Sequence, residues 1–106
     1  PPRIPSFDEL RLPPVLKKWD LLIAPEPVPI LFDPLQIVSR WAGLNVFMLD
    51  EKRVVVEKRQ EPLIKALKDW GFSPIPCSFE AYYPFMGSFH CATLDIRRRG
   101  TLQSYF

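Results

Sequence analysis

The chain has 106 residues, of which 47% are apolar and 25% are charged, and its formal net charge at pH 7 is +2. This composition is typical of a folded protein and argues against intrinsic disorder. The small net charge does not indicate a nucleic acid partner. Its apolar runs are shorter than the roughly 20 residues of a membrane span, and its first residues do not resemble a signal peptide. We therefore expect a soluble, cytoplasmic protein without a nucleic acid or membrane partner.

The chain contains two cysteines, Cys77 and Cys91, and one histidine, His90. Two cysteines are too few for a disulfide framework, so reduced thiols are expected. One histidine does not complete a zinc site of Cys and His ligands, so we expect neither a metal nor another cofactor. The chain begins without an initiator Met, which suggests a segment of a longer protein.

Proline dominates the first part of the chain, with nine of the thirteen prolines within the first 34 residues. Such a segment cannot form a continuous helix or a central strand. Between the prolines, the apolar run Asp20–Ala24 predicts a strand that is buried on both faces. Pro2 to Pro5 has the PxxP spacing of a polyproline ligand, but we favour a stiff connection between packed elements.

A hairpin and a helix are predicted in the middle of the chain. Residues 45–50 and 53–57 are apolar runs separated by charged residues, which predicts two antiparallel strands. Pro62 suits a first helical position and Gly71 suits a helix end, so a helix is expected over residues 63–70. Its apolar face is predicted to contain Leu63, Ile64, Leu67 and Trp70.

Residues 73–79 predict a third strand, which Pro74 and Pro76 place at an edge of the sheet. The predicted order is therefore β, β, α, β. An aromatic loop follows over residues 82–89. The alternation over residues 91–96 then predicts another strand, with Cys91 on its polar side.

Considered without further context, Cys91 is a weak candidate for catalysis. Successive side chains of an extended chain point to opposite faces, so His90 is poorly placed as its base. A structural thiol is the more common situation, and it is favoured for Cys77 as well. Asp95 shares the predicted face of Cys91, but a surface or hydrogen-bonded carboxylate is the preferred interpretation. The basic residues 97–99 are interpreted as a solvated or subunit-contacting run.

Three stretches nevertheless resemble a known family. They are Ser39-Arg40-Trp41 with residues 45–54, Gly87-Ser88-Phe89-His90-Cys91, and residues 95–105. Together they resemble the carboxy-terminal end of glycine amidinotransferases and related natural-product amidinotransferases. The resemblance implies an α/β fold built of ββαβ modules in a pentein-type five-bladed propeller. Residues 39–106 would be the carboxy-terminal module, and residues 1–38 the Pro-rich tail of the preceding one.

The resemblance also implies a function. Cys91 occupies the position of the family's nucleophile, which takes the amidino group of L-arginine and passes it to an amine, by default glycine. The family's catalytic histidine and aspartate would come from the remainder of the same enzyme. Ser39 and Val38 are expected at the substrate-binding position, where Val38 replaces a serine of the family pattern and only the hydroxyl of Ser39 remains. Met86 stands where the family usually has glycine.

Two other functions remain open at this stage. One is a guanidino-group hydrolase of the arginine deiminase type, which would give the cysteine adduct to water. The other is a noncatalytic structural or interaction module, since the isolated segment is expected to be inactive. For the complete enzyme we expect a homo-oligomer.

Overall fold

A computed structural model of the protein describes residue 11 and residues 13–31, 33–35 and 37–101. These residues fall into two compact units. The central unit runs from Ala24 to Ile96, and the other contains the described residues up to Ile23 and those from Arg97 onward. The PxxP segment at residues 2–5 lies outside the described residues, as do residues 102–105, the end of the last stretch that resembles the family. The predicted boundary between residues 38 and 39 stays a prediction.

The central unit contains a three-stranded mixed sheet with one helix. Its elements in chain order are β1 (Phe47–Met48), β2 (Arg53–Glu57), α1 (Glu61–Asp69) and β3 (Ser73–Cys77). β2 lies in the middle, pairing antiparallel with β1 and parallel with β3. Parallel pairing requires a crossover connection, which α1 provides. The predicted α/β fold with ββαβ order is confirmed.

The turn between β1 and β2 is organised by Asp50. Its Oδ1 accepts hydrogen bonds from the backbone N–H groups of Lys52 and Arg53, at 2.9 and 2.7 Å. Its Oδ2 accepts from Nε of Arg53 at 2.6 Å. These hydrogen bonds stabilise the charged form, so they lower the pKa of Asp50 from its ordinary value of 3.8 to about 2. The charged run that separates the strands therefore contains the carboxylate that shapes the turn.

Helix α1 covers the sheet with a narrower apolar face than the sequence predicted. Pro62 lies in its first turn, as expected, and Leu63 and Leu67 are buried. Trp70 was expected on the same face, but it caps the helix and remains 43% exposed, with its ring edge against Phe72. The helix has nine residues, and no helix in the described part of the chain is both long and apolar enough to cross a membrane.

β3 lies at an edge of the sheet formed by the described strands, as its prolines predicted. Pro74 and Pro76 pair in register with Val54 and Val56 of β2. Because proline lacks an N–H group, it is tolerated on a strand that is not paired on both sides. The buried side chains of Val54 and Val56 form the middle of the core.

The Pro-rich segment at the start of the central unit is held by side chains. Gln60 makes two hydrogen bonds with the backbone of Val28, one to its N–H and one to its carbonyl, both of 2.9 Å. Arg59 donates to the carbonyl of Pro29 at 2.9 Å and pairs with Glu80 at 2.8 Å. Prolines cannot donate to a strand ladder, so side chains supply the contacts that a neighbouring strand would otherwise make.

The predicted strand over Asp20–Ala24 is absent, and these residues have no regular secondary structure. Leu21 and Ile23 are exposed rather than buried on both faces. An apolar run forms a strand only where a neighbouring strand receives its hydrogen bonds, and no described strand pairs with this one. The prediction was wrong because it rested on side-chain polarity alone.

The predicted strand over residues 91–96 is also absent. His90–Ala92 forms a short 3₁₀ turn, closed by hydrogen bonds from the backbone N–H and the Oγ1 of Thr93 to the carbonyl of His90. The expected apolar face is not buried, since Leu94 and Ile96 are 87% and 94% exposed. Among the described residues, no strand lies beside this segment to pair with it. Without a neighbouring strand, the alternation of polar and apolar residues does not produce a strand here.

Candidate active site

An open cavity of about 320 Å³ lies on the central unit between two loops. The first wall of the cavity is formed by residues 37–45, and the second wall by residues 86–91. The cavity is lined by Ile37, Val38, Ser39, Trp41, Ala42, Asn45, Met86, Gly87, Ser88 and Cys91. The structure thus places the three predicted site residues, Val38, Ser39 and Cys91, at one cavity, although they are far apart in the sequence.

The first wall is shaped by short side-chain contacts to its own backbone. The carboxylate of Asp33 accepts hydrogen bonds from the N–H groups of Ile37 and Val38, both at 3.1 Å. Oγ of Ser39 accepts from the N–H of Trp41 at 3.2 Å. A 3₁₀ turn over Ala42–Leu44 follows. These contacts hold Val38 and Ser39 at the cavity, and the Ser39 hydroxyl can still donate to a ligand.

Arg40 lies outside the cavity lining. Its guanidinium pairs with Glu26 at 2.6 Å and stacks over the ring of Trp41, 5.0 Å from the ring centre. Both members of the ion pair are largely exposed, so the pair contributes little to stability. The ion pair and the stacking hold the Arg40 side chain against Glu26 and Trp41. Of the Ser39-Arg40-Trp41 triplet, the serine and the tryptophan reach the cavity.

The second wall follows a cluster of stacked rings. Phe79 stacks on Tyr82 and on Phe89, with ring centres 5.0 and 4.4 Å apart. A 3₁₀ helix over Glu80–Phe85 overlaps the first half of the aromatic loop that was predicted over residues 82–89. The buried carboxylate of Glu57 accepts a hydrogen bond of 2.7 Å from the N–H of Phe79. The cluster therefore attaches the second wall to the end of β2.

Tyr83 is buried beneath this wall. Its hydroxyl and that of Ser88 have no hydrogen-bond partner among the described residues. Burial raises the pKa of Tyr83 and is the largest effect. The nearby hydroxyl of Ser88 acts to lower this pKa, whereas the carboxylates of Glu57 and Glu80 raise it further. The phenol therefore stays protonated at neutral pH and does not serve as a base for the cavity.

Close packing brings Gly87 against Cys91. A Cβ atom at Gly87 would lie 2.8 Å from Cβ of Cys91 and 3.5 Å from its Sγ. The preceding residue, Met86, adopts a left-handed conformation with φ of 65°, which is uncommon for a residue other than glycine. This tight turn brings the backbone of the second wall beside the thiol.

Cys91 is free and exposed. Among the described residues that line the cavity, it is the one cysteine, and none of the others is acidic, basic or histidine. Its N–H donates to Oδ1 of Asn45 at 3.0 Å, joining the second wall to the first. His90 and Asp95 do not line the cavity. Cys77 is also exposed, but it lies on β3 rather than at the cavity.

Sequence reasoning missed Asn45 as a site residue, because it was interpreted as the start of a strand. The useful indication would have been a polar amide at the beginning of an apolar run. In the described part of the chain, no group of three or more His, Cys, Asp or Glu side chains could hold a metal ion. The expectation that the protein uses no metal stays a prediction.

Comparison with known proteins identifies relatives of this chain. No protein-family model matches the chain. The L-arginine:L-lysine amidinotransferase of Pseudomonas savastanoi pv. phaseolicola is 52% identical over 95 residues, which are 90% of this chain and 26% of that protein. The mitochondrial glycine amidinotransferase of Gallus gallus is 44% identical over 94 residues, covering 87% of this chain and 22% of that protein.

Two solved structures have similar folds. One is an amidinotransferase of the saxitoxin biosynthetic pathway from Microseira wollei, with 72% identity and a TM-score of 0.85 over 92% of this chain and 27% of that one. The other is the inosamine-phosphate amidinotransferase of Streptomyces griseus, with 36% identity and a TM-score of 0.81 over 89% of this chain and 27% of that one.

The chain is therefore homologous to a part of the amidinotransferases, as its motifs predicted, and it shares their α/β fold. It spans about a quarter of the length of the relatives that it matches. The matched stretch of 95 residues is longer than residues 39–106, so it also includes part of the Pro-rich segment, which contains none of the three stretches that resemble the family.

Proposed function

We propose that this chain supplies the nucleophilic cysteine and part of the substrate cavity of an amidinotransferase that uses L-arginine. The observation that carries the proposal is the cavity itself. It brings Cys91 together with Val38 and Ser39, on a fold that is homologous to amidinotransferases. The thiol is free and exposed, as a nucleophile must be.

The proposed transfer has two steps. In the first, the Cys91 thiolate forms a bond to the guanidinium carbon of arginine, the bond from that carbon to Nε breaks, and ornithine leaves after this nitrogen, now its δ-amino group, takes a proton. In the second, the nitrogen of an amine acceptor bonds to the same carbon, the carbon–sulfur bond breaks, and the acceptor nitrogen loses a proton. The thiolate is restored, and ping-pong kinetics are expected.

The proton transfers require a further group. The leaving nitrogen must be protonated, yet among the described residues the cavity lining contains no acidic, lysine, arginine or histidine side chain. His90 and Asp95 lie outside this lining. We therefore propose that the acid and base come from the remainder of the same enzyme, which completes the five-bladed propeller.

The acceptor is proposed to be an amine, with glycine as the default. Relatives are named for L-lysine, glycine or an inosamine phosphate. In this chain Val38 and Met86 add apolar surface to the lining. We place the enzyme in the cytoplasm as a homo-oligomer that needs no cofactor, nucleic acid or membrane.

The test is product analysis with the full-length enzyme, arginine and an amine. Transfer releases ornithine, whereas hydrolysis of the adduct releases citrulline. We expect ornithine release from the wild type and from Cys77→Ala, and none from Cys91→Ala. The two cysteines are a matched pair, because both are free and exposed. They differ in position, since Cys91 lines the cavity and Cys77 does not. Turnover by Cys91→Ala at the wild-type rate would overturn the proposal, and citrulline would identify a hydrolase.

A further inference from the structure

One hydrogen bond crosses the cavity from the first wall to the second. Oδ1 of Asn45 accepts it from the N–H of Cys91 at 3.0 Å, across 46 positions of sequence. Both residues line the cavity. The position of the thiol relative to the first wall therefore depends on the side chain of Asn45, which takes no part in the proposed reaction.

We propose that Asn45 is a positioning residue for Cys91. The inference rests on the proposed function of Cys91 and adds the group that fixes where its sulfur lies. Asn45 does not contact the reacting atoms in this role, because it acts through the backbone of Cys91. Displacing a reacting group by about 1 Å can lower a rate by about 100-fold, so such a bond can matter as much as a direct contact.

The backbone of Asn45 is well suited to this task. Its N–H donates to the carbonyl of Ala42 at 3.1 Å, which ends the 3₁₀ turn of the first wall. The next residue, Val46, donates to Leu44 at 2.9 Å, and β1 begins one residue later. The amide is thus attached to a turn and to the sheet, so it holds Cys91 against a structured support.

The Cys91 side of the bond is equally constrained. Gly87 packs so closely on Cys91 that a Cβ atom would not fit without movement. The N–H of Ala92 donates to the carbonyl of Ser88 at 3.0 Å, and that of Thr93 to His90 at 3.0 Å. The turn thus satisfies the two following N–H groups internally, and the N–H of Cys91 is satisfied by Asn45 from the opposite wall.

The chemistry of the nucleophile explains why an amide suits this position. Aspartate could accept the same hydrogen bond, but it would place a negative charge near the thiol. Such a charge disfavours the thiolate and raises the pKa of the cysteine. Asparagine offers the acceptor without the charge, so it positions the backbone and leaves the thiolate accessible.

The experiment compares three variants of the full-length enzyme. Asn45→Ala removes the acceptor, and Asn45→Asp retains it with a charge. The matched control is Thr93→Val, which removes the Oγ1 bond of 2.8 Å within the turn and leaves the link between the walls. The readouts are hydrogen exchange at the Cys91 amide, the single-turnover rate of adduct formation from arginine over a pH series, and the KM for arginine.

We expect faster exchange and a decrease in adduct rate of about tenfold or more in Asn45→Ala, with KM changed less than the rate. In Asn45→Asp, exchange should stay slow, and the rate should recover at alkaline pH on a profile displaced to higher pH. Thr93→Val should resemble the wild type. Unchanged exchange or an unchanged rate in Asn45→Ala overturns the proposal, as does an equal loss in Thr93→Val.

Failure of the proposed function has a different signature. If the wild type forms no adduct with arginine, the role of Cys91 in transfer is wrong, and with it the positioning role of Asn45 in that reaction. Accelerated exchange in Asn45→Ala would then still establish the hydrogen bond between the walls. If the wild type forms the adduct and the Asn45 variants do so equally fast, the positioning role alone is wrong.

Discussion

Gly87 leaves no room for a side chain beside the proposed nucleophile, because a Cβ there would lie 2.8 Å from Cβ of Cys91. We expect Gly87→Ala to move Cys91 or its neighbours. Overpacking of this kind typically costs about 1 to 3 kcal/mol of folding stability. The rate of adduct formation from arginine should fall more strongly than substrate binding, and single-turnover kinetics with an unfolding curve would measure both.

Gly71 provides the control. It has a φ of +96°, with nothing near the position of an added Cβ, and it lies at the end of α1 rather than at the cavity. Gly71→Ala should therefore lose about 1 to 2 kcal/mol through backbone strain, without slowing adduct formation. Equal rates for Gly87→Ala and the wild type would contradict the close packing described for Cys91.

At the residue scale, the sequence identified the candidate site only through a resemblance. Pattern and spacing favoured a structural role for Cys91. The family motif indicated instead that Cys91, Ser39 and Val38 are site residues. The three residues do line one cavity. Asn45 could not be identified in this way, because its contact spans 46 positions and depends on how two loops fold toward each other.

Asp50 makes the stability of the hairpin depend on pH. Its pKa is about 2 in the folded protein and 3.8 ordinarily, so the carboxylate stabilises the fold above about pH 4. This contribution disappears as the pH falls through about 2. Asp50→Asn lacks the charge and should be less stable than the wild type at neutral pH.

The difference in stability between Asp50→Asn and the wild type should shrink between pH 4 and pH 2. Unfolding curves of both proteins over this range would measure it, with hydrogen exchange of the turn as a local readout. A difference that stays constant with pH would show that the charge of Asp50 does not act in the folded state.

Helix α1 depends on Leu67, which is 7% exposed. Leu67→Ala should lower the free energy of unfolding by about 2 to 5 kcal/mol, because it leaves a cavity under the helix. The neighbouring exposed residue Lys68 gives the control, since Lys68→Ala removes a side chain that is not buried. Equal unfolding midpoints for the two variants would mean that the packing of α1 on the sheet is wrongly described.

At the element scale, prediction succeeded where the determinants are local. Pro62, Gly71 and the period of Leu63 and Leu67 define a helix within a few residues. The charged turn does the same for the hairpin. Residues 20–24 and 91–96 have strand-like polarity as well, but a strand also requires a partner, which is information that a short window of sequence does not contain.

At the scale of the whole molecule, the chain spans about a quarter of its relatives and exposes large apolar side chains, including Leu94, Ile96 and Phe85. Leucine, isoleucine and phenylalanine are mostly buried in folded proteins, so apolar surface exposed to this extent favours a contact with another part of a protein. We propose that the remainder of the enzyme covers it. The described residues add no acidic, lysine, arginine or histidine side chain to the cavity lining, so the isolated chain should not release ornithine from arginine.

Complementation would test this dependence. The isolated chain should gain arginine-dependent ornithine release when it is mixed with the remaining part of the enzyme, and a Cys91→Ala chain should not. Activity of the isolated chain alone would contradict the division of catalytic groups proposed here.

The proposed function requires that Cys91 takes the amidino group from arginine. The most direct measurement is intact-protein mass spectrometry of the full-length enzyme after brief exposure to arginine, followed by peptide mapping. We expect one amidino group per chain, mapped to Cys91 and absent from Cys77. Absence of an adduct from an enzyme that turns over arginine, or an adduct on a residue other than Cys91, would contradict it.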